Sequence, residues 1–348
     1  MAIANRMRRS FAGLLLAALA WAAHGSAAAQ ARTESLNLAI ASPALIYGPV
    51  WVALAESLFE KNGVKVNVVS TNALTTGPAM LVSGSADLLA TTTFLGLRIA
   101  LEGKQLSLIY NLSNMSMRAN AFVAKPSIKS MEQLAAMGTS CRVILLPTGS
   151  AGWAIYQGLA AQYKLKCATS TAGTTPLVIA GALSGQFDAA LLNPQDAYSA
   201  REAGKVNVLL DPMTMGDAEV KQIYRYEHPL STVFGLRETV AGKREAVVRF
   251  VKALRQAGDL IAKMSPQQLA EMSRRLTEAF GTTPANALAQ QWQIQKTMIP
   301  ASGAISEPEW TSLVAAAPLV WGFANLNPAE PALKYGSIID MSYFNTAK

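Results

Sequence analysis

From Ser35 onward, short apolar runs alternate with stretches of helical periodicity. "LNLAIA" (Leu36 to Ala41) reads as a strand. It feeds "GPVWVALAESLFEKNG", where Pro49 suits a first helical position, Val50, Leu54 and Leu58 make one face, and Gly63 suits the carboxyl cap. "VKVNVVS", a loop, "GPAMLVSG", the strand-like "ADLLATT", a helix near Leu95 to Gly103, and "LSLIYNLS" follow. The order then recurs as "MEQLAAMG", "CRVILLPT", a helix after Gly149, "KCATSTA", "TPLVIAGALSG" and "FDAALLN". Such alternation predicts parallel sheets covered by helices. From about Thr239 the pattern is mostly helical, with the amphipathic "GKREAVVRFVKALRQAGDLIAKM" and helix starts at Ser265-Pro266 and at Ser306-Glu307-Pro308-Glu309, the latter a capping-box pattern.

Two segments echo each other. "VSGSADLLATT" (Val82 to Thr92) and "LSGQFDAALLN" (Leu183 to Asn193) both carry S-G-x-x-D, matching Ser83, Gly84 and Asp87 to Ser184, Gly185 and Asp188. Glycine ends a helix, aspartate punctuates the turn, and an apolar strand delivers a polar loop at its carboxyl end. The match falls at the same place in both α/β series, which predicts two similar lobes.

The first residues change the picture of where the chain works. Arg6, Arg8 and Arg9 precede the apolar run "FAGLLLAALAWAA" and the small-residue sequence Ala29-Gln30-Ala31. That pattern predicts a cleavable signal peptide over residues 1–31, its apolar part too short to span a bilayer, and an exported protein. Of 30 basic residues 27 remain beyond it against 22 acidic ones, a small surplus with no basic run interleaved with aromatics. Nucleic-acid binding is therefore disfavoured, and an anionic small ligand is allowed. Cys141 and Cys167 each begin an apolar segment and would start neighbouring strands of a parallel unit; an exported chain permits a disulfide there, with two buried thiols as the alternative. His228 is the only histidine beyond the leader, so no metal-ligand cluster has recognisable spacing and neither a metal nor a cofactor is expected.

Ligands of open α/β sheets lie off the carboxyl ends of strands, where helix N-termini present unpaired N–H groups. Three such junctions stand out: "SPALIYGP" (Ser42 to Pro49), "TNALTTGP" (Thr71 to Pro78) and "PTGSAGW" (Pro147 to Trp153). All are rich in hydroxyls and nearly free of charge. The third lacks the Lys of a phosphate-binding Walker loop and the first glycine of a G-x-S-x-G nucleophile elbow. It reads as a neutral anion-holding helix start, with a merely tight turn as the alternative. Ala151, Ile155 and Leu159 share the core face of its helix, while Trp153 points elsewhere, into a cleft or over a lobe edge. Arg118, near the crossover between lobes, is a candidate partner for a carboxylate or sulfonate.

The ordered set "YGPVWVALAESLFEKNGVKVNVV", "PAMLVSGSADLLATT", "TGSAGW", "GALSGQFDAALLNPQDAYSAREAG" and "HPLSTVFGLRETVAGKREAVVRFVKAL" resembles periplasmic substrate-binding proteins of ABC importers, in the nitrate/sulfonate/taurine family. The resemblance implies an α/β fold of two lobes, each a mainly parallel sheet flanked by helices, joined by two crossover strands near Asn120 to Ala124 and His228 to Phe234. The first lobe would hold residues 32–122 and 229–348, the second 123–228. It implies a monomeric, non-enzymatic receptor that closes on a small organic anion and passes it to an ABC permease in the inner membrane. Its ligand loops would fall at Ser42 and Tyr47, Thr75 and Thr76, Thr92 and Thr93, Thr148 to Trp153 (Thr148, Gly149, Ser150, Ala151, Gly152, Trp153), Asn193, Thr174 and Phe234. Related proteins include enzymes of thiamine-pyrimidine synthesis, which need an active-site His and a Cys-rich loop, and nitrate or bicarbonate binders with His or acidic metal contacts. Neither pattern occurs near these loops, which directs the expectation to a sulfonate or an aromatic carboxylate. A pyrimidine-related enzyme and a ligand-sensing protein remain the alternatives.

Overall fold

In each sheet one strand is inserted antiparallel between its two neighbours. That insertion organises the whole molecule. The computed structural model describes residues 34–348 apart from 72–75, 115–117, 119, 149, 213, 224–227, 282 and 321–325; the expected leader lies outside them. The first sheet contains β1 (Glu34–Ile40), β2 (Val64–Ser70), β3 (Leu88–Thr92), β4 (Leu106–Asn114) and β10 (Pro229–Leu236), in the order β2-β1-β3-β10-β4. The second contains β5 (Ala121–Ala124), β6 (Arg142–Leu145), β7 (Ala168–Thr171), β8 (Ala189–Leu192) and β9 (Asn207–Leu210), in the order β7-β6-β8-β5-β9. β1 runs parallel to β3, and β6 parallel to both β7 and β8. β10 lies antiparallel between β3 and β4, and β5 antiparallel between β8 and β9. The expected two-sheet α/β architecture is present, each sheet being mixed through this one inserted strand.

The S-G-x-x-D echo is a repeated device. Gly84 and Gly185 adopt φ of 77° and 75°, the left-handed conformation that glycine accepts without strain. Asp87 N–H donates to the Asn37 carbonyl while Asn37 N–H donates to Asp87 Oδ2, both at 2.8 Å. Asp188 and Arg142 exchange the same pair of bonds at 2.8 Å each. A lysine then neutralises each carboxylate, Lys243 on Asp87 at 2.8 Å and Lys125 on Asp188.

Apolar periodicity accounts for most of the helices. On Arg244–Lys263, Val247, Phe250, Val251, Leu254, Ala257 and Ile261 are buried in one stripe, and Phe250 stacks on Phe59 with centroids 5.1 Å apart. The expected single helix after β1 is instead two, Gly48–Ala55 and Leu58–Lys61, parted at Ser57, whose φ is 51°. The reason is burial: Gly48 to Ala53 are buried all round, so Leu54 on the anticipated face is only half-buried, and the break lets Leu58 and Phe59 both turn inward. The helix expected near Leu95 begins two residues earlier, at Thr93–Leu101.

Ser35–Lys348 form one unit. Its largest apolar cluster unites Leu89, Leu108 and Phe234 from the first sheet with Phe122, Val143, Leu145 and Leu191 from the second, and with Phe94 of the helix Thr93–Leu101 and Trp310 and Leu313 of the helix Glu307–Val320. Cys141 and Cys167, which precede the paired residues Arg142 and Ala168, are joined by a disulfide with Cα atoms 4.6 Å apart.

Candidate ligand site at the carboxyl ends of the strands

Chain direction locates the site. β4 leaves the first sheet at Asn114 towards β5, and β10 returns to pair Pro229 with Asn114 and Ser231 with Thr92. The carboxyl ends of β3 and β4 therefore lie where the chain crosses between sheets. In the second sheet, Ala121 pairs with Leu192, so the carboxyl end of β8 meets the same crossover.

On the first sheet, Ser42 is half-buried after β1, and Tyr47 is buried in the short turn Leu45–Tyr47. Burial pushes the Tyr47 phenol well above the usual tyrosine range; the side chains of Thr91 and Ser42 lie beside it and oppose the rise. Thr91 Oγ1 nonetheless falls short of a hydrogen bond with any protein atom. Trp292 packs on the adjoining Gly48, so closely that a Cβ there would come within 2.8 Å of its ring. The indole donates to Ser273 Oγ at 2.9 Å.

Two rows of polar side chains cross the end of this sheet. Thr91, Thr232 and Asn111 are direct neighbours on β3, β10 and β4; Thr92 and Ser231 pair on the opposite face, and Ser113 meets Ser231 across a register shift in β4. All six are buried. Thr91 Oγ1, Thr232 Oγ1, Asn111 Oδ1, Ser231 Oγ and Ser113 Oγ have no protein partner, as do Thr93 Oγ1 on the adjoining helix and Gln295 Oε1 on the helix Ala285–Gln295. That helix touches both the Leu45–Tyr47 turn and the helix Pro194–Glu202 of the other sheet. A buried polar group left unmatched costs about 1–3 kcal/mol, so a concentration of them at one strand end marks a place built for polar contacts from outside the protein.

The facing end is differently made. Ser150 is buried, and its Oγ accepts the Trp153 N–H at 3.1 Å, capping the helix Ala151–Tyr163. Asn193 Oδ1 accepts the Asp196 N–H at 2.9 Å, and its Nδ2 donates to the Asp196 carboxylate. Burial raises the Asp196 pKa and the Asn193 bond opposes that. Trp153 is half-buried against the apolar cluster that joins the sheets, with its Nε1 buried and unmatched. Gly152 has room for a Cβ, the nearest atoms being 4.0 Å away.

The remaining expected residues scatter. Arg118 donates from Nη1 to the Pro212 carbonyl at 2.9 Å, a tie between the crossover and the loop after β9. Thr76 and Thr148 are exposed, and Thr174 is half-buried where the helix Thr175–Leu183 begins beyond the edge strand β7. Phe234 is fully buried in the sheet core, its ring 3.2 Å from a Cβ built on Gly96, and presents no surface to a ligand. Thr75 and Gly149 lie outside the described residues, as does the side chain of Ala151. Sequence reasoning missed Thr91, Asn111, Ser113, Ser231, Thr232 and Gln295; the run "TTT" and the polar interruption "ST" within apolar β10 were the available signals. Among the described residues, no three His, Cys, Asp or Glu side chains could together hold a metal ion, and no helix is long and apolar enough to cross a membrane.

No protein-family model and no curated protein matches the chain. Solved structures do. The nitrate-binding protein of Synechocystis superposes with a TM-score of 0.71 at 12% identity, over 91% of this chain and 88% of that one. The ligand-binding component of an ABC-type import system from Staphylococcus aureus, solved with zinc, gives 0.72 at 12% identity, over 90% and 99%. The alkanesulfonate-binding protein of Xanthomonas axonopodis pv. citri, bound to MOPS, gives 0.64 at 16% identity, over 86% and 97%. The chain has the periplasmic binding protein fold.

Proposed function

We propose that this protein is a periplasmic solute receptor that captures a small organic anion, a sulfonate or a carboxylate, between two lobes and delivers it to an ABC permease in the inner membrane. The lobes are residues 32–122 with 229–348, and residues 123–228; the leader over residues 1–31 is removed on export, and the receptor works as a monomer. The observation that carries this reading is the gathering of buried, uncharged and unmatched hydroxyl and carboxamide atoms at the crossover end of the first sheet. Solved proteins of the same fold that bind nitrate and alkanesulfonate lend it support.

In the ligand-bound state Tyr47, Thr91, Thr232 and Asn111 hold the ligand from one side, and Ser150, Trp153 and Asn193 from the other. Contacts to both sides favour the closed arrangement, since a ligand stabilises the state to which it binds better. The site has hydrogen-bonding groups without a nucleophile and base in register: the Ser150 hydroxyl is engaged as a helix cap. The ligand is therefore held and released unchanged.

A thermal-shift panel of sulfonates, carboxylates and inorganic oxyanions tests this. A ligand at a hundred times its Kd stabilises the fold by about 2.7 kcal/mol, a shift of several degrees. At least one organic anion should give it and be recovered chemically intact. A panel without any shift, or recovery of a converted product, overturns the proposal.

A further inference from the structure

The buried row on β3, β10 and β4 has a polarity of its own. Thr91 and Thr232 carry hydroxyls, which turn to donate or accept. Asn111 differs: one N–H of its Nδ2 donates to Asn114 Oδ1 at 2.7 Å, and its carbonyl Oδ1, which only accepts, has no protein partner. Gln295 Oε1 is a second buried acceptor without a partner. An ionised acid group offers acceptors alone. Against this row it would satisfy the two threonine hydroxyls and leave Asn111 Oδ1 without a donor. A ligand that also brings a donor matches all three.

The charge of that donor follows from the surroundings. The segments Ala90 to Thr93, Asn111 to Ser113 and Pro229 to Phe234 contain no charged residue, and Asn111, Thr91 and Thr232 are fully buried. An ammonium group brought here would give up its hydration with no carboxylate in the row to replace it, whereas a hydroxyl or amide N–H gives up far less.

We propose that the ligand carries a neutral hydrogen-bond donor, a hydroxyl or an amide N–H, within reach of its acidic group, and that Asn111 Oδ1 is the specificity-determining atom that reads it. This rests on the receptor reading above. It separates the ligand from nitrate, sulfate and simple alkyl acids, none of which has a donor when ionised.

Calorimetric titration of the protein with matched series tests it: ethanesulfonate, 2-hydroxyethanesulfonate and 2-aminoethanesulfonate, together with propionate, lactate and the carboxamide-bearing succinamate. In each series the neutral-donor members should bind about tenfold or more tightly than the unsubstituted acid, and 2-aminoethanesulfonate no better than ethanesulfonate. In Asn111→Leu the preference should fall to about twofold. The wild-type ratio is decisive even if that variant folds poorly. Equal binding of hydroxylated and unsubstituted acids overturns the donor inference and leaves the receptor reading standing. Preference for the ammonium member overturns the neutral-donor assignment, and a preference that survives in Asn111→Leu overturns the role of Asn111. Failure of every acid to bind overturns the receptor reading and the inference with it.

Discussion

At the amino ends of their strands the two sheets carry the same device, and at the carboxyl ends they carry different ones. Asp87 and Asp188 each exchange two backbone-directed hydrogen bonds with the neighbouring strand and each meet a lysine. Across the molecule the resemblance stops. The first sheet ends in buried polar atoms without partners, while the second ends in helix starts whose Ser150 and Asn193 side chains cap the first turn. The repeated end solves a problem of backbone geometry that any such sheet has: starting a strand after a glycine-ended helix without stranding an N–H group. The unlike ends divide a chemical task, one face offering a row of unmatched hydroxyl and carboxamide atoms and the other capped helix starts together with the unmatched Trp153 Nε1.

The largest break in this comparison should come from the disulfide, because only the second sheet has one. Cys141 and Cys167 are 26 residues apart, and closing a loop of that size is worth about 3 kcal/mol. Reduction, or the double change to serine, should lower the denaturation midpoint accordingly, with hydrogen exchange rising in β6 and β7 before β1 and β2. Uniform exchange across both sheets would show that the staple does not act locally.

A smaller and matched effect is expected from Asp87→Ala and Asp188→Ala. Each leaves a strand N–H and a lysine without their partner and should cost about 2 kcal/mol in chemical denaturation. The lysines are partly exposed, which keeps the ion-pair share of that cost low. Unequal costs would mean that the two turns are alike in geometry but not in energetic role.

The smallest effect has the opposite sign. Thr232→Val replaces an unmatched buried hydroxyl with a methyl of the same shape, and the ligand-free protein should gain about 1 kcal/mol in stability while anion-induced shifts shrink. Lower stability of this variant would show that the hydroxyl serves the fold itself, and the contrast between the two ends would lose its basis.

Much of the scaffold is legible along the chain. The S-G-x-x-D echo locates both turns, the stripe on Arg244–Lys263 its buried face, and Ser150, Ser265 and Ser306 their helix starts. Ser57 was not legible, because nothing local marks a serine for a left-handed conformation; burial of residues on both sides of it decides that. Phe234 misleads for a related reason. It shares a face of β10 with Thr232, but two residues further into the sheet, where the same face is covered by the helix Thr93–Leu101.

Periodicity, glycine-ended helices and capping residues act between near neighbours, so the amino-acid sequence by itself determined most of the strands and helices, the twin turns and the uncharged character of the loops. The site belongs to the tertiary structure. Thr91, Asn111 and Thr232 become neighbours only when β10 returns between β3 and β4. Whether a hydroxyl or an amide oxygen has a partner is then settled by which strands end side by side, a balance that no local stretch of sequence contains.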